Sequence, residues 1–461
     1  MKDRPVLVLL TSHWLSMLGA ALVTLAGFSW LFVLPLNIRG GPVSNPYIGL
    51  LVFIAIPIVF FVGLILIPIG IALAKRKVTE NLSQVEDRRT AWRRAGIFFG
   101  VMTVANVVIA SQLSYRAVEH MDTVQFCGQT CHVMKPEFTA HAATPPHQAV
   151  ACAECHIAPG ATGWLKAKMN GTSQLMEVMF NNYARPIESA MEDNKLVSSA
   201  ETCEQCHERD TPIGPRLRVI TSYKDDQTNT RTQTVLLMHI GGIHGAHLGP
   251  GVRIRYAAAD KKRQTIPWVE YTNTKTGVSQ TYLASGSTAD SVRSLPVFEM
   301  QCVDCHNRAA HAFEFPERAV NQAMAASQIA ASLPFVKKES VELLKANYAE
   351  PIPKAFSAFY LQNYPEVAAK QGAEIHAAGA ALAAIYERNV FSDLKVTWGT
   401  YPNNLGHTDA PGCFRCHDEA HLTADKMTIS QDCGLCHQLV AVDEASPDVL
   451  KTLELTPANR N

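Results

Sequence analysis

Twelve cysteines occur in this 461-residue chain, and all twelve fall into six pairs, each followed at once by a histidine. Five pairs have two residues between the cysteines: Cys152/Cys155 with His156, Cys203/Cys206 with His207, Cys302/Cys305 with His306, Cys413/Cys416 with His417, and Cys433/Cys436 with His437. The remaining motif, FCGQTCHVM over residues 126–134, has three residues between Cys127 and Cys131, then His132, then Met134 two places on. A zinc site needs four ligands and has no use for a histidine directly after every second cysteine. A c-type haem does have that use. Two thioether bonds fix the porphyrin edge, and the adjacent imidazole then reaches the iron from one face. The motifs therefore predict six covalently attached haem c groups with their irons.

An electron-transfer haem takes a second axial ligand from its other face, so the histidines outside the motifs matter. Of the seventeen histidines, eleven lie outside the motifs. Candidate ligands among them are His141, His147, His239, His244, His247, His311, His407 and His421. His147 lies nine residues before His156, His311 comes five residues after His306, and His407 and His421 bracket the fifth motif. The trio in HIGGIHGAH (His239, His244, His247) is far from any motif and reads as a glycine-rich loop. It is either a separate metal site or a segment that folds back to ligate the first haem cluster. His13 reads as a polar anchor at one end of an apolar span. No histidine pairs lie across the apolar spans, which argues against a membrane-embedded b-type haem.

Three apolar stretches, residues 14–36, 48–74 and 95–114, each exceed the roughly 18–20 residues that cross a bilayer. No small-residue cleavage site follows the first, so it reads as a retained helix. Between the second and third lie Lys75, Arg76, Lys77, Arg88, Arg89, Arg93 and Arg94, whereas the loop between the first and second holds Arg39 alone. Basic residues stay on the cytoplasmic side. The N-terminus is therefore expected inside the cell, with everything after about residue 115 outside the inner membrane, in the compartment where haem is attached covalently. The fold expectation is a three-helix membrane anchor (1–114), a three-haem region (115–207), a β-rich haem-free insert (208–300) and a C-terminal three-haem region with a helical segment (301–461). The strand pattern comes from the alternation in RLRVITSY, TQTVLLMHI, VRIRYAAA and PWVEYTNT, and the helical one from the alanine-rich runs of 315–395.

Lysine plus arginine and aspartate plus glutamate each number 41, so the formal charge is zero. Two propionates on each haem would add about twelve negative charges, which makes nucleic acid an implausible partner.

SQLSYRAVEHM leading into FCGQTCHVMKPEF, then PPHQAVACAECH and GWLKAKMNG, resembles the NapC/NirT/NrfH family of membrane-anchored multihaem quinol dehydrogenase cytochromes. RQTIPWVEY, CHNRAAHAF and TWGTYPNNLGHTDAPGCFRCH are similar to the longer, ImcH-type inner-membrane cytochromes of metal-reducing bacteria. The resemblance implies electron transfer from the membrane quinol pool to a periplasmic acceptor, a soluble cytochrome or a reductase. It implies that Met134 competes with His132 as ligand of the first haem. It also implies a quinol site around Lys168, with Lys166 as fallback and Glu177 as the nearest acid, where short family members carry an aspartate. The alternative is a terminal reductase of a small oxyanion or nitrogen compound. That would require a haem with an open position, often with lysine for the motif histidine, and all six motifs keep histidine.

Overall fold

The computed structural model describes residues 10–37, 55–80, 88–130, 132–192, 195–209, 211–346 and 350–453. The chain divides into two compact units, Met1–His132 and Val133–Asn461, so the first unit runs on past residue 114 and through most of the first cysteine motif.

The first unit is three helices: α1 (Trp14–Asn37), α2 (Ile56–Glu80) and α3 (Arg88–Met121). Of the expected second span, residues 48–54 lie outside the described residues. Among the described residues two helices, not the three expected, are long and apolar enough to cross a bilayer, over Ile56–Ala74 and Arg89–Met121. Helix α1 carries a shorter apolar stretch, Trp14–Ser29. Helices α1 and α2 pack backbone to backbone through small residues. A Cβ on Gly19 would sit 2.6 Å from the Gly63 carbonyl oxygen, and one on Gly70 would sit 2.3 Å from the Ser16 nitrogen. Close approach through small residues is how apolar helices associate where no hydrophobic force separates them from lipid.

The second unit opens with a 3₁₀ turn (His132–Met134), α4 (Lys135–Ala142) and α5 (Gly160–Met179). Strands β1 (Arg216–Tyr223) and β2 (Arg231–Met238) form a hairpin, followed by α6 (Ile240–Leu248). Strands β3 (Val252–Ala257), β4 (Trp268–Asn273), β5 (Val278–Leu283) and β6 (Val297–Glu299) make an antiparallel sheet in the order β5-β4-β3-β6. The turn at Asn273–Gly277 closes the β4–β5 hairpin. The Asn273 side-chain oxygen accepts from the Lys275 and Thr276 amides, and Gly277 adopts φ +74°.

The alanine-rich segment folds into α7 (Pro316–Ala325), α8 (Val336–Lys345), α9 (Ile352–Asn363) and α10 (Gly372–Asn389). Their apolar positions recur at helical spacing (Ala319, Val320, Ala323, Met324 on α7; Ile375, Ala378, Leu382, Ile385 on α10) and meet with Phe356 and Tyr360 in the largest buried core.

The motif-free stretch 208–300 is β-rich and pairs beyond itself. Strand β7 (His437–Glu444), starting at the last motif histidine, pairs with β2 and completes a β1-β2-β7 sheet, with Met238 opposite His437 and Val235 opposite Ala441. The expected glycine-rich loop HIGGIHGAH is instead a helix, α6, with His239 at its N-cap. Gly241 serves close packing there: a Cβ on it would meet the Ile213 carbonyl oxygen at 2.2 Å.

Candidate haem sites

Each regular motif folds as a single helical turn: Cys152–His156, Cys302–Cys305 and Cys433–Cys436 are α-helical, and Cys203–Gln205 and Gly412–Arg415 are 3₁₀. Residues three apart on such a turn share a face, so both sulfurs can address one porphyrin edge. The turn closes on the histidine amide, with His207 N–H donating to Cys203 O, His306 to Cys302 O and His417 to Cys413 O, at 2.8, 2.8 and 3.1 Å. The first motif has an extra residue, and Phe126–Thr130 takes it up in a π turn. Cys131 lies outside the described residues.

The protein does not enclose the eleven described cysteines all alike. Cys206, Cys413 and Cys433 are exposed, whereas the other eight are partly buried. Cys206, like Cys416, lies just past its 3₁₀ turn. Its 3₁₀ turn ends at Gln205, so Cys206 is left at the C-cap, held by its own N–H donating to Cys203 O at 3.1 Å. Its thiol is therefore positioned by the backbone of the motif and not by burial in a core. At the other extreme, burial pushes Cys305 up to about 11 and Cys416 up to about 12, away from the thiolate a metal site uses. Among the described residues no three histidine, cysteine or carboxylate side chains converge as a metal-ligand group, so zinc lacks its third and fourth ligands.

Each of the five regular motif histidines has another imidazole facing it. Ring centres are 6.1 Å apart for His156 and His311, 6.1 Å for His207 and His147, and 6.2 Å for His306 and His244. They are 5.7 Å apart for His417 and His247, and 6.2 Å for His437 and His407. Two imidazoles on opposite faces of one iron, with metal–nitrogen bonds of about 2 Å and just over 1 Å from each nitrogen to its ring centre, come out about 6 Å apart. Rings at that distance leave a slab between them that a close-packed interior would otherwise fill. The residues present fit a haem at all five places. The cavity between His156 and His311 is also lined by Lys262 and Arg308, cations suited to propionates.

The outer ring nitrogens support the same fit. A ligating histidine donates its other N–H to a carbonyl or carboxylate. His147 Nδ1 donates to Ala309 O (2.9 Å), His247 Nδ1 to Ile243 O (2.7 Å) and His417 Nδ1 to Ser430 O (2.7 Å). His311 Nδ1 lies 3.0 Å from Glu137 Oε2. Burial lowers the pKa of His156, His247 and His306, which favours the neutral, ligating imidazole.

Three sequence candidates stand apart. His141 and His421 are buried, and their Nε2 atoms donate to Val150 O (3.0 Å) and Ile266 O (2.7 Å), while His421 Nδ1 also contacts Asp418 at 2.8 Å. His239 stands at the N-cap of α6, where its carbonyl accepts from the Ile243 amide, and its own amide donates to Cys436 O. The other two members of the trio, three apart on α6, face the fourth and fifth motifs rather than the first cluster. His311, next to the fourth motif in sequence, faces the second.

Lys168 and Lys166 lie on α5. Lys168 Nζ is 5.5 Å above the Trp164 ring, and Leu165 and Met169 beside it are exposed. At 100° per residue, Glu177 is half a turn from Lys168 and on the Lys166 face. Met134 ends the 3₁₀ turn and stands at the N-cap of α4.

A polar clamp joins two motifs without any sequence signal beyond the unnamed residues inside them. Arg415, within the fifth motif, donates to Asp304 O (2.7 Å) and Arg263 O (2.8 Å). Arg263 in turn reaches the buried Asp304 carboxylate of the fourth motif at 3.2 Å, and Tyr256 hydroxyl donates to the same oxygen. Glu137 and Arg308 likewise became visible only once the fold brought them beside His311.

A family model described as the N-terminal region of the NapC/NirT cytochrome c family matches residues 89–244. The chain is 36% identical over 452 residues to the cytochrome c-type protein ImcH of Geobacter sulfurreducens, covering 92% of this chain and 87% of that protein. The chain belongs to the NapC/NirT cytochrome c family. It is an ImcH-like member, and as a cytochrome c of this family it binds haem c covalently and serves electron transport. The apolar helices near the N-terminus accord with the membrane anchoring of NapC/NirT cytochromes. No solved structure matches the chain.

Proposed function

We propose that this NapC/NirT-family cytochrome is a quinol dehydrogenase of the inner membrane that carries electrons through six haem c groups to a periplasmic acceptor. The five facing histidine pairs carry the reading. When bound, haem c supplies one-electron chemistry, its iron alternating between ferric and ferrous. The chain's own residues do the rest. Each cysteine pair holds a porphyrin edge, and His156, His207, His306, His417 and His437 ligate from the motif side. His311, His147, His244, His247 and His407 ligate from the other. With these histidines as ligands, a haem at any of the five places would have no open position, which disfavours the terminal-reductase reading.

For the first haem, held by Cys127 and Cys131, Met134 is the ligand we favour over His132; the π turn gives the chain room to displace the histidine, and thioether ligation raises potential. Quinol enters beside Lys168, whose position among the apolar side chains of α5 suits a lipid-borne substrate. In this reading the chain crosses the membrane three times with its N-terminus cytoplasmic, and the chain after about residue 115 lies in the periplasm.

Pyridine haemochrome analysis of the purified protein is expected to give six c-type haems per chain and no b-type. EPR is expected to show at least five as low-spin. Fewer than five low-spin haems would sink the proposal, and a count of five c-type haems would mean that the CxxxCH motif is not loaded.

A further inference from the structure

Among the five facing pairs, one has a carboxylate behind a ring. Glu137 Oε2 lies 3.0 Å from His311 Nδ1, whereas His147, His247 and His417 turn their Nδ1 atoms to neutral backbone carbonyls. The carboxylate is well fixed. Glu137 occupies the first turn of α4, three residues past Met134, where a helix N-terminus favours negative charge. Its other oxygen lies 3.6 Å from Arg308, whose guanidinium is 5% exposed and rests 4.3 Å above the Tyr401 ring.

We propose that Glu137 is a positioning residue that lowers the reduction potential of the haem held between His156 and His311. The inference rests on that histidine pair being the ligands. The carboxylate stands 3.0 Å behind the imidazole without being aligned as a hydrogen bond, so it acts through its charge, and a full negative charge beside the iron's ligand stabilises ferric over ferrous iron. A carbonyl in the same place carries no full charge and pulls less. Glu137 thus sets this haem below what its histidines alone would give, in the motif that follows the first in the chain. It also ties the helix beginning at Met134 to the second haem's ligand.

The test is a spectroelectrochemical titration of detergent-purified wild-type protein, Glu137→Gln and Glu137→Asp, with haem content measured on each. Glu137→Gln keeps the shape and removes the charge, and one redox step is expected to shift upward while the others stay put. Glu137→Asp, with a shorter arm, is expected to shift the same step by less. An unmoved or lowered step in Glu137→Gln overturns the proposal. If Glu137→Gln loses haem, Glu137→Asp decides: an upward shift supports the role and an unmoved step overturns it. His311→Ala separates the underlying assignment. If that variant keeps every low-spin haem, the pairing itself is wrong; if it loses one while Glu137→Gln leaves all potentials unchanged, this inference alone fails.

Discussion

At the scale of single residues, a histidine's role follows from which of its nitrogens is already engaged. His421 and His141 have spent Nε2 on backbone carbonyls, while His147 and His247 have spent Nδ1 and keep Nε2 for the facing ring. His244→Ala is therefore expected to convert one low-spin haem to high-spin with the haem count unchanged. His421→Ala is expected to leave every low-spin signal in place and to cost about 1–3 kcal/mol of stability by stranding the buried Ile266 carbonyl. Loss of a low-spin signal in His421→Ala would reverse the two roles. Ring planes give a second readout. His156/His311 and His437/His407 are near-parallel (17° and 24°), and the other three pairs are crossed at 54–59°. Parallel planes lift the degeneracy of the iron d orbitals and give rhombic EPR spectra; crossed planes leave it and give a large maximal g value. Two bis-histidine signals of the first kind and three of the second are expected, and five of one kind would refute the geometry.

At the scale of elements, one-turn helices present the cysteines, and α6 turns His244 and His247 towards two different motifs. The helices α7–α10 supply an apolar core apart from the haem pairs, and they also bury a lysine. Lys337 is 4% exposed, donates to Glu317 O at 2.9 Å, and is pushed down to about 8, chiefly by burial. The unfolded chain binds that proton up to about 10.4. Between these values the unfolded state holds more protons than the folded one, so stability is expected to rise with pH from about 8 to 10.4 and to be flat with respect to this group below 8. Lys337→Met is expected to remove the rise, at the loss of a hydrogen bond of about 1 kcal/mol. Thermal unfolding midpoints of both proteins across that range check it, and an unaltered slope in Lys337→Met would assign the rise to other groups.

At the scale of the whole molecule, the proposed quinol-dehydrogenase reading has electrons enter from a lipid-borne donor at α5 beside Lys168. Lys168→Ala is expected to slow haem reduction by a quinol analogue by about 10²–10⁴, the usual cost of removing a positioned acid–base group. Dithionite should still reduce every haem. Lys166→Ala is the control, since two residues on a helix point some 200° apart. Equal losses in both would indicate a general charge effect, and a normal quinol rate in Lys168→Ala would move the site elsewhere.

Covalent chemistry was legible in the sequence because it depends on neighbours in the chain. A cysteine, two residues, a cysteine and a histidine form one helical turn even where, as at Cys206, no core encloses the sulfur, and an apolar run such as 56–74 is a candidate span by length alone. The strands β1 to β4 and the helices of 316–389 were legible for the same reason, through periodicities of two and 3.6. The second axial ligand was not, because the face of a haem opposite its own motif is filled by whatever the tertiary structure brings there. His311 lies five residues from His306 yet faces His156, and His244 and His247 close on motifs far along the chain. The pairing of β7 with β2, the α6 helix in a glycine-rich stretch, the Arg415–Asp304 clamp and the carboxylate behind His311 are likewise contacts between distant segments. Local spacing determined which residues could hold haem; long-range packing decided which of them share one.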